Sequence, residues 1–313
     1  MQKKILTITL NPTVDKSSSV DKISPERKLR CEAPKFEPGG GGINVSRGLT
    51  RLGIDSEAFF PSGGMAGRRL ENLLKEEKVS ILPLNIEGET RENFIVVETS
   101  TNQQYRFGMP GDQLSEEDLN RILHYLRDLD PFPVYVIISG SLPPGVDPKF
   151  VRKIVRAAKE KGARVIADTS GDALVEVVEE GVFLLKPNIG ELARLVGVES
   201  LDNESADEAA KELIDGGKAE VVVVSMGPLG AYLVSREHNE QIPAPAVKKL
   251  STVGAGDSMV AGMVSVLAQD GNYSDMVRMG VACGTAATMN PGTGLFKKAD
   301  AEKLFNWLKK KNS

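Results

Sequence analysis

From residue 115 onward this chain alternates helical and extended patterns, and that alternation restricts its fold more than any other feature. A helix over 115–127 leads to Val134–Ile138, a helix over 148–161 to Arg164–Ala167, a further helix to Val182–Leu185, and a helix over 204–215 to Val221-Val222-Val223-Val224. An unbroken apolar run has no polar face to offer water, so such strands are buried on both sides. Joined by helices, they close into a parallel sheet covered on both faces. Ile5–Leu10, stopped by Asn11-Pro12-Thr13, and a strand near Ser56–Phe60 extend the same sheet, and a Gly63-Gly64 turn and a charged helix over 68–78 follow. Ligands of such sheets bind at the C-terminal strand ends. There the chain places Asp15, the loop Ser139–Gly145, Asp168, the loop Lys186–Glu191 and Ser225-Met226-Gly227-Pro228.

Bulk composition removes several function classes. The 39 basic and 43 acidic residues leave a net charge of −4, which argues against nucleic-acid or membrane-surface partners. Cys31 and Cys283 are the only cysteines and His124 and His238 the only histidines, too few for a disulfide framework, a cysteine zinc site or a histidine-rich metal site. No signal-type segment or apolar run of membrane-spanning length stands out, so a cytoplasmic location is expected.

Two excursions break the alternation. Residues 16–36, with Pro25 and Pro34, read as a pair of strands outside the core that carries Lys28 and Arg30. Residues 93–98 and 103–107 read as a hairpin with Arg91 at its entrance. Together, about 16–36 and 89–108, they predict one lid and no second domain. Lys28 there either reaches a phosphate or solvates an edge strand.

Two glycine-rich stretches carry chemistry. Gly39-Gly40-Gly41-Gly42, ahead of an amphipathic helix bearing Ile43, Val45, Leu49 and Leu52, is not explained by helix or strand propensity. It suits close approach of backbone to a ligand, with Asn44 supplying a donor and an acceptor. Gly254-Ala255-Gly256-Asp257 opens an apolar helix over 255–268. Free N–H groups at a helix start attract a phosphate. A carboxylate in that positive setting suits accepting a proton from an attacking hydroxyl. Asp257 alternatively only complements the helix dipole, and Asp15 either caps its turn or binds sugar hydroxyls. There is no Gly-x4-Gly-Lys-Ser/Thr loop and no protein-kinase motif set.

Taken together, Asn11-Pro12-x-x-Asp15, the glycine turn ending in Asn44, Asn188-x-x-Glu191 and Gly254-Ala255-Gly256-Asp257 resemble the ribokinase-like (PfkB) carbohydrate kinases along essentially the whole chain. The resemblance implies one kinase domain over 1–313: a three-layer α/β/α sandwich with a mostly parallel central sheet and a small β-sheet lid. Lys28-Leu29-Arg30-Cys31, Phe36–Asn44, Gln104-Tyr105-Arg106-Phe107 and Ser139–Gly145 further resemble the minor bacterial 6-phosphofructokinase branch. Branches acting on fructose 1-phosphate or tagatose 6-phosphate usually carry a lysine at the position of Gly41.

By this resemblance Asp257 would be the base that activates the C1 hydroxyl of fructose 6-phosphate, with Gly254, Ala255 and Gly256 as the anion hole. Asp15, Gly40, Gly41, Asn44 and Ser141 would bind the sugar, and Arg91 and Lys28 its phosphate. Lys186, Asn188, Ser225 and Gly227 would lie along ATP, while Asn188 and Glu191 would organise Mg2+ through water. Ser251, Val253 and Asn290 would form a K+ loop, although Ser251 replaces an aspartate common in the wider family. Lid strands would pair between subunits in a homodimer. The alternatives are tagatose 6-phosphate or fructose 1-phosphate as acceptor, and a non-catalytic sugar-phosphate sensor, for which an intact Asp257 has no use.

Overall fold

The computed structural model describes residues 3–202 and 205–311. In chain order its strands and helices are β1 (Ile5–Ile8), β2 (Thr13–Val20), β3 (Lys35–Gly39), α1 (Gly41–Leu52), β4 (Glu57–Ser62), α2 (Gly64–Glu76), β5 (Ser80–Asn85), β6 (Arg91–Glu98) and β7 (Gln103–Phe107). There follow α3 (Glu116–Asp128), β8 (Tyr135–Ser139), α4 (Lys149–Glu160), β9 (Arg164–Asp168), α5 (Gly171–Glu180), β10 (Val182–Leu185), α6 (Ile189–Leu195), α7 (Ala206–Asp215) and β11 (Ala219–Ser225). The last are β12 (Ala231–Ser235), β13 (Asn239–Ile242), α8 (Ala255–Ala268), α9 (Tyr273–Thr288) and α10 (Lys298–Lys311).

Nine strands form the large sheet in the order β13-β12-β11-β10-β9-β8-β1-β4-β5, parallel from β11 to β5 and antiparallel through β12 and β13. The apolar runs are buried on both faces because alternate residues serve opposite layers. Val222 and Val224 join the core under α3 to α5 and α7, whereas Val221 and Val223 join the core under α1, α8, α9 and α10. This is the expected three-layer sandwich. From β1 the chain first adds strands on one side and then, from β8, on the other, so the loops after β1 and β8 flank a crevice at the switch point.

A second sheet, β3-β2-β6-β7, stands apart. Both expected strand pairs are present, β2 with β3 and β6 with β7, each antiparallel. Only β6–β7 is a tight hairpin, and β2 pairs β6 in parallel, setting Asp15 opposite Asn93. Asp15 therefore lies inside β2, because the chain re-enters extended structure only a few residues after β1 ends at Ile8. The expected strand bearing Lys28 and Arg30 is absent: residues 21–34 are irregular and Lys28 is exposed. Pro25 and Pro34 explain this, since neither can donate to a ladder. Strand β5, the β12–β13 hairpin and α9 were not anticipated. Pro83 interrupts β5, β13 is mostly polar so its hairpin with β12 has no alternating pattern, and α9 is rich in small residues with a weak apolar stripe.

Candidate active site

Beside the switch point, two helices cross closely. A Cβ on Gly48 of α1 would sit 2.6 Å from the Ala261 Cβ of α8. One helical turn before each contact lie Asn44 and Asp257, and the crossing brings them together: Asn44 Nδ2 donates to Asp257 Oδ2 at 2.9 Å. Both helices start at glycines with positive φ, Gly40 at 114° and Gly254 at 70°. A residue with a Cβ is strained in either conformation. At Gly40 an added Cβ would also meet the Thr9 methyl at 2.7 Å.

Asp257 retains some exposure but is set deep enough that desolvation, followed by the nearby Asp168 charge, pushes its pKa up to about 6. The Asn44 hydrogen bond and the Lys186 and Arg47 charges act in the opposite sense. Lys186 is 6 % exposed and pairs with Asp168 at 2.9 Å. Its burial favours the neutral amine, but Asp168 outweighs this and holds its pKa above the ordinary value. Gly256 lies against this pair, since a Cβ there would be 3.6 Å from Lys186 Nζ and 3.9 Å from an Asp168 carboxylate oxygen. A negatively charged group approaching the start of α8 therefore meets backbone N–H groups and a buried ammonium together.

Toward the small sheet, Asp15 accepts from Asn93 Nδ2 at 2.9 Å. Burial raises its pKa against the pull of that bond and of Arg91. Arg91 donates to the Asn11 and Met109 carbonyls, and Asn11 reaches Ser141 Oγ at 3.4 Å and the Leu142 carbonyl at 3.2 Å. Gly41 presses on the loop after β8. A Cβ there would be 2.3 Å from Ser139 Oγ and 2.6 Å from the Gly140 nitrogen. Any side chain at this position requires that loop to move.

Along the remaining strand ends, Asn188 and Glu191 form a reciprocal cap at 2.9 Å in both directions. Ser225 bonds the Pro187 carbonyl and Gly227 opens a short 3-10 turn. Ser251 Oγ donates to the Gly292 carbonyl at 2.7 Å and accepts from Val253 N at 3.2 Å, while the Asn290 side chain donates to the Ala286 carbonyl. These three residues lie on one loop pair joined by Ser251, with Asn290 turned back toward its own helix. Lys28 stands apart from these groups, and its ammonium has no hydrogen bond or ion pair among the described residues.

Three residues here were not singled out for the site from the sequence. Asp168 had a signal, as an acid terminating an apolar strand. Arg47 also had one: it falls on the stripe of Ile43, four residues earlier, where a charge must find a partner. Asn93 had none, because only the β2–β6 register places it beside Asp15.

A family model described as pfkB family carbohydrate kinase matches residues 5–299. The chain is 43% identical over 306 residues to the ATP-dependent 6-phosphofructokinase isozyme 2 of Escherichia coli (strain K12), covering 97% of this chain and 99% of that protein. Among solved structures it resembles the phosphofructokinase-2 from Escherichia coli in complex with potassium, with a TM-score of 0.94, 42% identity and 98% and 99% of the two chains covered. The same enzyme in complex with fructose-6-phosphate gives a TM-score of 0.92 at 41% identity, with 98% and 99% covered. Among the described residues no helix is long and apolar enough to cross a membrane.

Proposed function

The chain belongs to the pfkB family of carbohydrate kinases, and from that premise we propose that it transfers the γ-phosphoryl group of ATP to the C1 hydroxyl of fructose 6-phosphate. The products are fructose 1,6-bisphosphate and ADP. The observation that carries this reading is Asp257, held by Asn44 at 2.9 Å with its pKa raised to about 6, beside a helix start backed by the Lys186 ammonium.

Asp257 accepts the C1 hydroxyl proton as the oxygen bonds to phosphorus; a pKa near the operating pH suits a base that must take and then release that proton. Negative charge spreads onto the transferring oxygens, where the N–H groups of Gly254, Ala255 and Gly256 and the Lys186 ammonium meet it. Asp15, Gly40, Gly41, Asn44 and Ser141 hold the sugar, with Arg91 and Lys28 at its phosphate. Asn188, Ser225 and Gly227 line the nucleotide.

Bound Mg2+ would neutralise phosphate charge. The donor set fits it: Mg2+ keeps several waters and needs few carboxylates, and Glu191 commits only Oε2 to its cap, leaving Oε1 for a metal-bound water. Among the described residues no group of three or more His, Cys, Asp or Glu could hold a metal alone. K+ is assigned to the oxygen-rich loops at Ser251, Val253 and Asn290, a reading supported by the potassium complex of the Escherichia coli relative.

The small sheet, with the segments about 16–36 and 89–108, serves as a lid within one kinase domain. Phe94 and Phe107 face each other across β6 and β7 and are 39% and 50% exposed, with Leu29 and Met109 also uncovered. A second copy would cover them, making a homodimer that works in the cytoplasm.

A coupled ADP-release assay with MgATP and K+ tests the substrate by comparing kcat/KM for fructose 6-phosphate, tagatose 6-phosphate and fructose 1-phosphate. Fructose 6-phosphate is expected to win. A preference for either other sugar overturns the acceptor while leaving the mechanism. Binding without turnover of any of them would mean a sensor.

A further inference from the structure

Arg47 is 1% exposed, and the mechanism above gives it no task. Its Nε and Nη2 donate to the two Glu77 oxygens at 2.8 and 2.6 Å, a forked pair at the end of α2. Its Nη1 donates to the Pro38 carbonyl at 2.8 Å and to Asn44 Oδ1 at 3.0 Å. A guanidinium has donors only, so the Asn44 face that meets it must be the carbonyl oxygen. The amide nitrogen then has one direction left, toward Asp257.

We propose that Arg47 is a positioning residue for the base: clamped by Glu77, it holds the Asn44 carboxamide so that its N–H, and never its oxygen, faces Asp257. This rests on the reading of Asp257 as the base. Without the clamp the amide can flip and present its oxygen to the carboxylate, losing a hydrogen bond to the ionised base and adding repulsion. A flat five-donor fork meets these partners together, whereas a lysine at this depth provides one point charge.

The charged groups around the relay are few. Asp168 and Lys186 face Asp257 from the ends of β9 and β10; Asp15 on β2, Glu37 on β3 and Arg51 on α1 lie within the field of Arg47. Arg47 favours the ionised forms of Asp15, Glu37 and Asp257. It therefore acts on the sugar side and on the base at once.

The test compares Arg47→Lys and Glu77→Gln with the wild type and Asp257→Asn, reading kcat, both KM values and the pH dependence of kcat/KM. Arg47→Lys is expected to lower kcat about tenfold, leave the ATP KM within twofold and move the acid limb to higher pH, since the carboxylate is less favoured. Glu77 is partly exposed, so Glu77→Gln carries the test if Arg47→Lys does not fold, and should shift the same quantities in the same direction by a smaller factor. If both variants fold with wild-type kcat and acid limb while Asp257→Asn is inactive, Arg47 only packs and the proposal is overturned. If Asp257→Asn itself keeps wild-type turnover, the reading of the base fails and this proposal fails with it.

Discussion

Asp257 and Lys28 are both charged residues read as touching the substrate, yet their surroundings are opposite. Asp257 sits among Asn44, Asp168, Lys186 and Arg47, all supplied by the same chain. Lys28 lies in an exposed irregular segment, and its ammonium meets no partner among the described residues. One region is assembled before any ligand arrives. On the proposed reading, the other would gain its ammonium's contacts from ligand or from a second copy. Substitutions in the first should therefore act on the chemical step and on stability, and substitutions in the second on substrate affinity alone.

The largest effect belongs to the base. Asp257→Asn keeps the volume and an oxygen that can still accept from Asn44, so sugar and nucleotide binding by calorimetry should persist while kcat drops about 10²–10⁴-fold, as expected on losing a positioned base. Near-normal turnover would remove Asp257 from the chemistry and erase the contrast.

The opposite signature is expected for the irregular segment that carries Lys28. Lys28→Ala should raise the KM for the sugar phosphate roughly tenfold, the weight of one charged hydrogen bond, with kcat and melting temperature nearly unchanged. If kcat falls instead and KM stays constant, Lys28 acts on the transition state and the two regions are not separable in this way.

A smaller effect sharpens the first region. With Asp257 titrating at about 6, kcat/KM should decline as pH falls below that value, because protonation removes the base. The substrate phosphate titrates nearby too, so the informative quantity is the difference between variants. Asn44→Ala removes a bond that lowers the Asp257 pKa, and the acid limb should move to higher pH by several tenths of a unit. An unmoved limb would mean that the substrate, and not Asp257, sets it.

The same contrast explains what could be read from the linear chain. Asp257, Asn44 and the strand-end loops were legible because each rests on a local rule: a helix start, a glycine turn, the end of an apolar run. The valine run at 221–224 dictated burial on both faces, and the layers follow from it. What needed tertiary register was not legible. Asn93 reaches Asp15 only through parallel pairing of β2 with β6, two strands far apart in sequence. The segment around Lys28 has extended-looking alternation, but two prolines work against a ladder, and among the described residues it bonds to β2 only through Glu32, whose N–H donates to the Ser19 carbonyl. Gly41 was legible as a close approach, but not that it presses on Ser139 and Gly140 rather than standing open.

The smallest effect is on folding itself, and its sign separates the regions once more. The ordinary Asp pKa is 3.8 and the folded value for Asp257 is about 6, so between those values the native state binds more protons than the unfolded chain. Stability from this group is then fully present below 3.8 and is lost as pH rises through about 6. At pH 7 the ionised base therefore destabilises the fold. One pKa unit corresponds to about 1.4 kcal/mol, and partial exposure reduces the full figure, leaving about 1–2 kcal/mol. Asp257→Asn should accordingly melt a few degrees higher than wild type at pH 7, with the gap closing toward pH 4. Lys28→Ala should show no such pH-dependent gap. If Asp257→Asn melts lower at pH 7, the Asn44 and Lys186 contacts to the carboxylate outweigh its desolvation, and the base corner is a source of stability that the Lys28 segment lacks.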